Sequence, residues 1–450
     1  MRRPGVLRGA FVGGMLAAPL AAVLYLARQA AGLPFVPFDL FDWLARRLPG
    51  ALVTFGIDAI VAVLGALGAE DLSGAAKTAE QLLALVAFVV MLAVAGGVWY
   101  GVLRATGARW GAGAGAAFGV VLGMLALLVS RAVNVTATAG PVAGALWVVL
   151  SFAVWGGVLG WAHRRLSAAP GVAPAAEELT AAARPMPGVA PAAAPAEARP
   201  PAPPPAAAGT EPEALDRRTF VVRLGGAAAV ITVVGAGVGL WLGERRGRQA
   251  VAAWGAPWSA NHPLPNAGAA VEPVQGTRRE LTPVEDHYRI DINTRPPVVR
   301  EEEWRLRFGG LVERPLVLSL AELRERWAPQ HLFITLSCIS NPVGGDLIGT
   351  TRWTGVPLRE VVGAAGVGPA ATHLRLRSVD GFHETVALDE VRADGRIMLA
   401  YAWDGLPLPP EHGFPLRLYL PDRYGMKQPK WIESIEAIDR WEAGYWVRRG

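Results

Sequence analysis

Apolar residues follow two regimes along this chain: long uninterrupted runs before residue 167, and short stretches alternating with polar residues after residue 259. Five apolar segments fill the first part, at about 6–27, 51–67, 81–103, 110–129 and 141–162. Most approach the ~20 residues an α-helix needs to cross a hydrocarbon core. The segment at 51–67 is short and carries Asp58, either a functional acid at membrane depth or a protonated carboxyl at a helix interface. Glycine runs such as Gly111-Ala-Gly-Ala-Gly115 and Gly156-Gly157 suit close helix packing. Residues 167–216 are Pro- and Ala-rich with almost no aromatic or branched aliphatic side chains, the composition of a disordered or polyproline-like linker. An uncharged run at 224–243 is long enough for a sixth span.

The 259–450 region reads as a separate soluble domain. Trp304-Arg-Leu-Arg-Phe308 alternates with period two before Gly309-Gly310, which predicts a half-buried strand and a turn. Further strands are expected at 332–336, 373–378, 382–387, 397–402, 416–420 and 431–438. Ser319-Leu-Ala-Glu322 is a capping box for a short helix, and Pro357 starts a second helix within 355–362. Short strands with a few helices define an α+β or mostly β domain.

A chain of 450 residues exceeds one ordinary core, so composition and pattern agree on several units: 1–166, a linker at 167–216, a signal-like span at 217–243, and the domain at 259–450. The formal net charge is +5, and the arginines flank apolar runs, so they report topology rather than nucleic-acid binding. With an outside amino terminus and six spans, the inner loops hold Arg28, Arg46, Arg47, Arg104, Arg109, Arg164, Arg165, Arg184, Arg199, Arg217 and Arg218. The outer ones hold Arg2, Arg3, Arg8, Lys77 and Arg131. That imbalance predicts a cytoplasmic linker and a domain outside the cytoplasm, in a multi-pass protein of the cell membrane; if one weak segment fails to span, the early topology inverts while the sixth span keeps its orientation. Arg217-Arg218-x-Phe220 before the sixth run has the form of a twin-arginine export signal, and Ala250-Val-Ala252 of a small-x-small cleavage site.

Cys338 is the single cysteine, which excludes a disulfide within the chain and any CxxC zinc or CxxCH haem motif. His163 is the only histidine in the first 250 residues, so the helical part offers no bis-histidine haem site. The thiol stands where the apolar run 332–336 breaks into Asn341-Pro342 and Gly344-Gly345. Free cysteine is commonly a small core residue; a strand end opening into a glycine-rich loop instead presents it.

Six collinear motifs carry a resemblance. They are Ser337-Cys-Ile-Ser-Asn341 with Gly344-Gly-Asp-Leu-Ile348, Trp353-Thr-Gly-Val-Pro-Leu358, Ser378-Val-Asp-Gly-Phe382, Pro409-x-x-His-Gly-Phe-Pro-Leu-Arg417, and Lys430-Trp431. From Tyr288 onward the chain resembles the sulfite oxidase-like family of molybdopterin-dependent oxidoreductases, in its bacterial membrane-associated form. The resemblance implies an α+β molybdopterin-binding domain and a molybdenum-molybdopterin cofactor, with Cys338 as both catalytic residue and metal ligand. It implies His412 and Arg417 as pterin anchors, Lys427 and Lys430 as cationic contacts, and Asn293 and Asp380 close to the cofactor. Arg352, Tyr445 and Arg448 receive no pocket position from sequence. A domain loaded with its cofactor in the cytoplasm must cross the membrane folded, which agrees with the twin-arginine reading.

The implied activity is two-electron oxygen-atom transfer, of the sulfite-oxidising or sulfoxide-reducing type. Its partners would be the membrane, a small oxyanion or sulfoxide substrate, and a separate electron-transfer protein or quinone-linked carrier; no nucleic acid is implied. A different class is a membrane sensor or assembly protein that keeps the fold without turnover.

Overall fold

The computed structural model describes residues 4–66, 72–108, 110–133, 136–167, 217–253 and 280–449. The expected linker, apart from Ser167, lies outside them, as does the lead into the second domain at 259–279.

The helical part comprises α1 (Val6–Ala31), α2 (Val36–Arg47), α3 (Gly50–Ala66), α4 (Leu72–Thr106), α5 (Ala112–Val133), α6 (Pro141–Ser167) and α7 (Arg217–Ala253). Among the described residues five helices are long and apolar enough to cross a membrane: α1, α4 from Gly74, α5, α6, and α7 over Arg218–Arg245. Helix α3, over the 51–67 segment expected as a span, is shorter. Small residues set the packing. Gly9 and Gly13 of α1 meet Gly96 and the Leu92 backbone of α4, where an added Cβ would strike opposing backbone. Gly115 and Gly119 of α5 meet Gly156, Gly160 and the Phe152 backbone of α6 in the same way. Four-residue spacing aligns such residues on one stripe of each helix and lets the backbones approach. Outward, α4 shows Leu82, Val86, Val90, Val94 and Val98, an exposed apolar stripe at the same spacing.

These contacts fix which helix ends lie together. Gly5 approaches Arg104, Gly111 approaches Arg164, and Phe220 packs on Trp161, so the start of α1, the ends of α4 and α6 and the start of α7 share one end. The opposite end faces the second domain. Residue 6 and the linker flank at Ser167 therefore lie at the same end, whereas the six-span expectation separated them. Helix α3 is the reason: Gly50 lies against Arg449 of the second domain, and Lys77 near the start of α4 bonds the Asp291 carbonyl at 3.1 Å. The chain leaves and re-enters from the domain side.

Helix α2 was not expected. It is amphipathic, burying Phe35, Val36 and Phe38, while Asp39 accepts a hydrogen bond from Ser130.

The second domain contains β1 (Leu306–Gly310), β2 (Leu316–Leu318), α8 (Leu320–Arg326), β3 (Gln330–Ser337), β4 (Ile348–Pro357), α9 (Leu358–Ala365), β5 (His373–Ser378), β6 (His383–Ala387), α10 (Leu388–Ala393), β7 (Met398–Trp403), β8 (Leu406–Pro407), β9 (Arg417–Tyr419) and β10 (Ile432–Ile438). One sheet has the order β2-β1-β10-β5-β6, with β1 and β10 parallel. The other runs β3-β4-β7-β8, with β9 also on β7. This α+β arrangement follows the predicted strands to within a few residues. The capping box is formed, Glu322 N–H donating to Ser319 Oγ at 3.2 Å and Ser319 N–H to the Glu322 carboxylate at 2.7 Å. Strand β4 was not separated from its flanking loop and helix. Its backbone bulges between Thr354 and Gly355, where only a glycine lets it pass the Leu399 carbonyl. Leu306, Phe308, Val356, Leu376, Leu399 and Ile435 share one core between sheets and helices. Trp353, Met398, Ala400 and Trp403 belong to a second, smaller cluster, and it is here that the polar groups gather.

Candidate active site

Strand β3 delivers the thiol. Ser337 pairs with Ile348, and one residue later the Cys338 N–H still donates to the Leu347 carbonyl at 2.9 Å. The following loop closes on itself: Asn341 N–H donates to the Cys338 carbonyl at 3.2 Å, and Leu347 N–H to Asn341 Oδ1 at 2.8 Å. Cys338 is 8% exposed, its Sγ 3.1 Å from Ser340 Oγ. It is buried, as a core residue would be, but it sits in a fixed loop beside a polar basin.

That basin is built from three segments. His287 and Tyr288 come from the chain entering the domain, Trp353 and Trp403 from β4 and β7, and His412 and Arg417 from the turn before β9 and its first residue. The His287 ring lies 4.6 Å from Trp403 and 6.0 Å from His412, and His412 lies 4.7 Å from Trp403. The Arg417 guanidinium lies over Trp353 at 4.5 Å and Trp403 at 5.4 Å, donating to the His412 carbonyl at 3.0 Å. An added methyl at Gly425 would stand 2.9 Å from Tyr288 Oη and 3.8 Å from the Ser337 carbonyl, which places the Gly425-Met-Lys427 turn beside the cysteine strand.

Burial governs the protonation states. Burial, with the charge on Arg417, lowers His287 to about 4. Burial, then the charges on Lys430 and Arg417, lowers His412 well below the usual histidine range. Both imidazoles are neutral at pH 7. Burial, and then Cys338, push Tyr288 up, so its phenol stays a donor. Burial lowers Arg417 to about 10, leaving it charged.

A second cluster adjoins the first. Asp291 accepts from Arg289 at 2.8 Å and lies 3.5 Å from both Lys77 and Lys430. Burial alone would raise its carboxyl, but Lys77, Lys430 and Arg289 together hold it well below the usual carboxylate range. Lys430 also donates to the Glu411 carbonyl at 2.9 Å and lies 4.4 Å over the Trp431 ring. Burial lowers Lys430 to about 7 against the raising effect of Asp291. Asn293 donates to Asp380 at 2.9 Å and accepts from Arg46 at 2.6 Å; burial pushes Asp380 up to about 6.

The expected residues thus fall into two adjoining groups. His412 and Arg417 belong to the aromatic basin beside the cysteine strand. Asn293, Asp380 and Lys430 belong to the charged cluster. Lys427 binds the buried carboxylate of Glu384 at 3.1 Å. Strand alternation puts Arg352 on the opposite face of β4 from Trp353. Tyr445 packs on Phe382, 5.5 Å between rings, and Arg448 donates to the Ala443 carbonyl. Sequence reasoning missed His287, Trp403 and Asp291. The run His287-Tyr-Arg-Ile-Asp291, polar at a domain entrance, was the available signal.

Five buried polar atoms around the basin have no protein partner: His287 Nε2, Tyr288 Oη, Trp353 Nε1, Trp403 Nε1 and Arg417 Nε. Each such group costs about 1–3 kcal/mol when left unpaired. Their convergence, with one thiol and two cations nearby, fits an anionic ligand rich in ring nitrogens and oxygens that carries a thiophilic metal.

The site and the α+β fold define a pterin-metal oxidoreductase domain. The model of the oxidoreductase molybdopterin binding domain matches residues 293–446. Over 150 residues the chain is 32% identical to the oxidoreductase YuiH of Bacillus subtilis, covering 33% of this chain and 72% of that one. It is 31% identical over 175 residues to sulfite oxidase of Gallus gallus, covering 32% of this chain and 38% of that one. It is 30% identical over 181 residues to inducible nitrate reductase [NADH] 2 of Glycine max, covering 34% of this chain and 20% of that one. The chain belongs to the sulfite oxidase-like molybdopterin oxidoreductases, and its cofactor is molybdenum-molybdopterin. It spans most of YuiH but well under half of the sulfite oxidase and nitrate reductase chains.

Proposed function

We propose that this enzyme is a membrane-anchored oxidoreductase with its catalytic domain outside the cytoplasm, acting on a small oxyanion or sulfoxide. The observation that carries the site assignment is the fixed strand-end thiol of Cys338 beside five buried, unpartnered polar atoms. When bound, the cofactor supplies two-electron oxygen-atom transfer. Cys338 provides the protein's sulfur ligand, a soft anionic donor suited to a high-valent metal. Arg417, His412 and Tyr288 offer the pterin and its phosphate a fixed guanidinium, a neutral imidazole and a protonated phenol. Lys430 adds a cation whose proton an anionic ligand would retain. Asn293, Asp380 and Lys427 hold the surrounding loops in register with that pocket.

The five apolar helices and their exposed stripes support membrane anchoring. With residue 6 and Ser167 at one end, the sequence segments that flank that end carry, by chain order, Arg2, Arg3, Arg8, Arg104, Arg109, Arg164, Arg165, Arg184, Arg199, Arg217, Arg218 and Arg223. Those flanking the domain end are Arg28, Arg46, Arg47, Lys77, Arg131, Arg245, Arg246 and Arg248, eight against twelve. The excess again faces away from the domain, which favours a cytoplasmic linker, an amino terminus on that same side, and twin-arginine export through Arg217-Arg218. Ala250-Val-Ala252 falls within the last turns of α7.

Metal analysis of the full chain made in a cofactor-competent host tests the reading. Wild type should hold about one molybdenum per chain and Cys338→Ser far less. A wild type without molybdenum would leave the non-catalytic sensor reading in its place. Sulfite oxidation and methionine sulfoxide reduction, assayed side by side, then separate the two substrate classes.

A further inference from the structure

A cavity of ≈ 360 Å³ lies at the seam between the helices and the second domain. Arg28, near the end of α1, and Gln81, in the early turns of α4, form one wall; Arg295 to Val299 form another. The third wall is Pro410, Glu411 and Phe414. These last residues bracket His412, whose ring faces His287 and Trp403. The cavity and the metal basin are therefore separated by a single turn of chain.

Its chemistry is mixed in a particular way. Pro296, Pro297, Val298, Val299 and Phe414 give flat apolar walls, and Gln81 and the arginines place donors beside them. The cations are already engaged: Arg28 donates to Thr136 at 2.8 Å, and Arg289, also in the lining, binds Asp291 at 2.8 Å. Arg295 lies over Phe38 at 5.2 Å and Tyr25 at 5.7 Å, with its buried Nε unpartnered by protein. Such a pocket suits a neutral ring bearing acceptor oxygens better than a free anion. The volume lies in the range of small-molecule sites.

We infer that this cavity binds the headgroup of a lipid-soluble quinone, the electron-exchanging partner of the oxidoreductase; this rests on the function proposed above. The chain carries a single cysteine and no CxxCH motif, so it brings no iron–sulfur cluster or c-type haem of its own. The seam is where apolar helices meet the catalytic domain, within reach of a carrier dissolved in lipid. The net exchange balances in either direction. With a sulfoxide, QH2 + R2SO gives Q + R2S + H2O: two quinol O–H bonds break, two electrons reduce sulfur, and the S=O oxygen leaves as water with the two protons. With sulfite, SO3²⁻ + H2O + Q gives SO4²⁻ + QH2.

The test is a titration of the full detergent-solubilised chain with decyl-substituted benzoquinone, followed by quenching of tryptophan fluorescence. Saturable binding of one quinone per chain is expected, weakened at least tenfold by Val298→Trp and at least threefold by Gln81→Leu. Val317→Trp, at an exposed position on β2, should bind as wild type does. Photolabelling of the wild type with an azidoquinone should mark the 295–299 peptide, a readout independent of how the variants fold. Non-saturable partition, unchanged affinity in both cavity variants, or label confined elsewhere would overturn the assignment. So would displacement of the quinone by phosphatidylglycerol or inorganic phosphate at equal concentration, which would make this an anion site. Quinone binding needs no metal, so a chain without molybdenum that still binds quinone sinks the enzymatic reading alone. A molybdenum-loaded chain without saturable binding sinks the cavity assignment alone.

Discussion

Asp291→Asn would remove an anion that, among the described residues, pairs with Lys77, Arg289 and Lys430 together. The three contacts are 3.5, 2.8 and 3.5 Å long, and the Asp291 side chain is 1% exposed. At an effective dielectric of about 20 these distances correspond to roughly 5–6 kcal/mol each before desolvation. Desolvation opposes most of that sum, and breaking a buried pair by removing one partner costs about 3–5 kcal/mol in practice. A loss of about that size is expected in urea or thermal unfolding of the purified chain at pH 7. Arg440→Gln, which disrupts a pair with Asp439 (side chains 70% and 60% exposed) and a longer contact of 3.6 Å with Glu442, should lose under about 1 kcal/mol, since the arginine itself is largely in solvent. The sign with pH is fixed as well. A carboxyl held below its unfolded value contributes fully above about pH 4 and loses that contribution as pH falls through its folded value. The gap between wild type and Asp291→Asn should therefore shrink as pH falls below about 4, and because Asp291 raises Lys430, which stands at about 7, the gap should also narrow as pH rises through that value and Lys430 loses its proton. A variant no less stable than the Arg440 control would refute the claim that this cluster ties helices to domain.

Two further substitutions probe other links. Asp42 accepts from the Thr294 N–H at 3.0 Å, and burial pushes its carboxyl up to about 8, so the folded state holds a proton that the unfolded state releases near pH 4. The Asp42 contribution should fall as pH rises from about 4 to 8, and Asp42→Asn should remove that slope while changing stability at about pH 3, where the carboxyl is protonated in both states, by less than about 1 kcal/mol; an unchanged slope in a urea-midpoint series would count against it. Gly355→Ala drives a methyl into the Leu399 carbonyl, backbone against backbone, and should cost about 1–3 kcal/mol by calorimetry, where Gly363→Ala, with open space around it, should be close to neutral.

Much of the α+β domain was legible because its strands alternate and its turns use glycine and proline. The capping box at Ser319 and the helix after Pro357 are local devices, and both formed as expected. Strand β4 escaped because Thr350, Thr351 and Arg352 carry no alternation and Gly355 looks like a turn. Its partners on both sides, not its own pattern, make it a strand. Cys338, His412 and Arg417 were reached through motifs, while Trp403 and His287 were not. Aromatic rings and histidines are frequent core residues, and only contact with Arg417 and His412 shows that these two line the same basin. Helix α2 was hidden by acids and arginines that look like loop composition but are satisfied by Ser130, Thr294 and Asn293 far along the chain.

The amino-acid sequence by itself determined the two regimes of the chain, the apolar helices, the lone thiol and the motif order that marks the molybdopterin oxidoreductases, since each rests on neighbours along the chain. It did not determine which end of the bundle the amino terminus occupies. Exchanging Arg2, Arg3 and Arg8 for Arg28, Arg46 and Arg47 moves three cations each way and leaves the charge count unchanged. Only the tertiary structure decided, by placing Gly50 against Arg449 and by tying Arg46 to Asn293 and Lys77 to Asp291. Those cations face the domain because partners distant in sequence satisfy them there, a condition that no local pattern records.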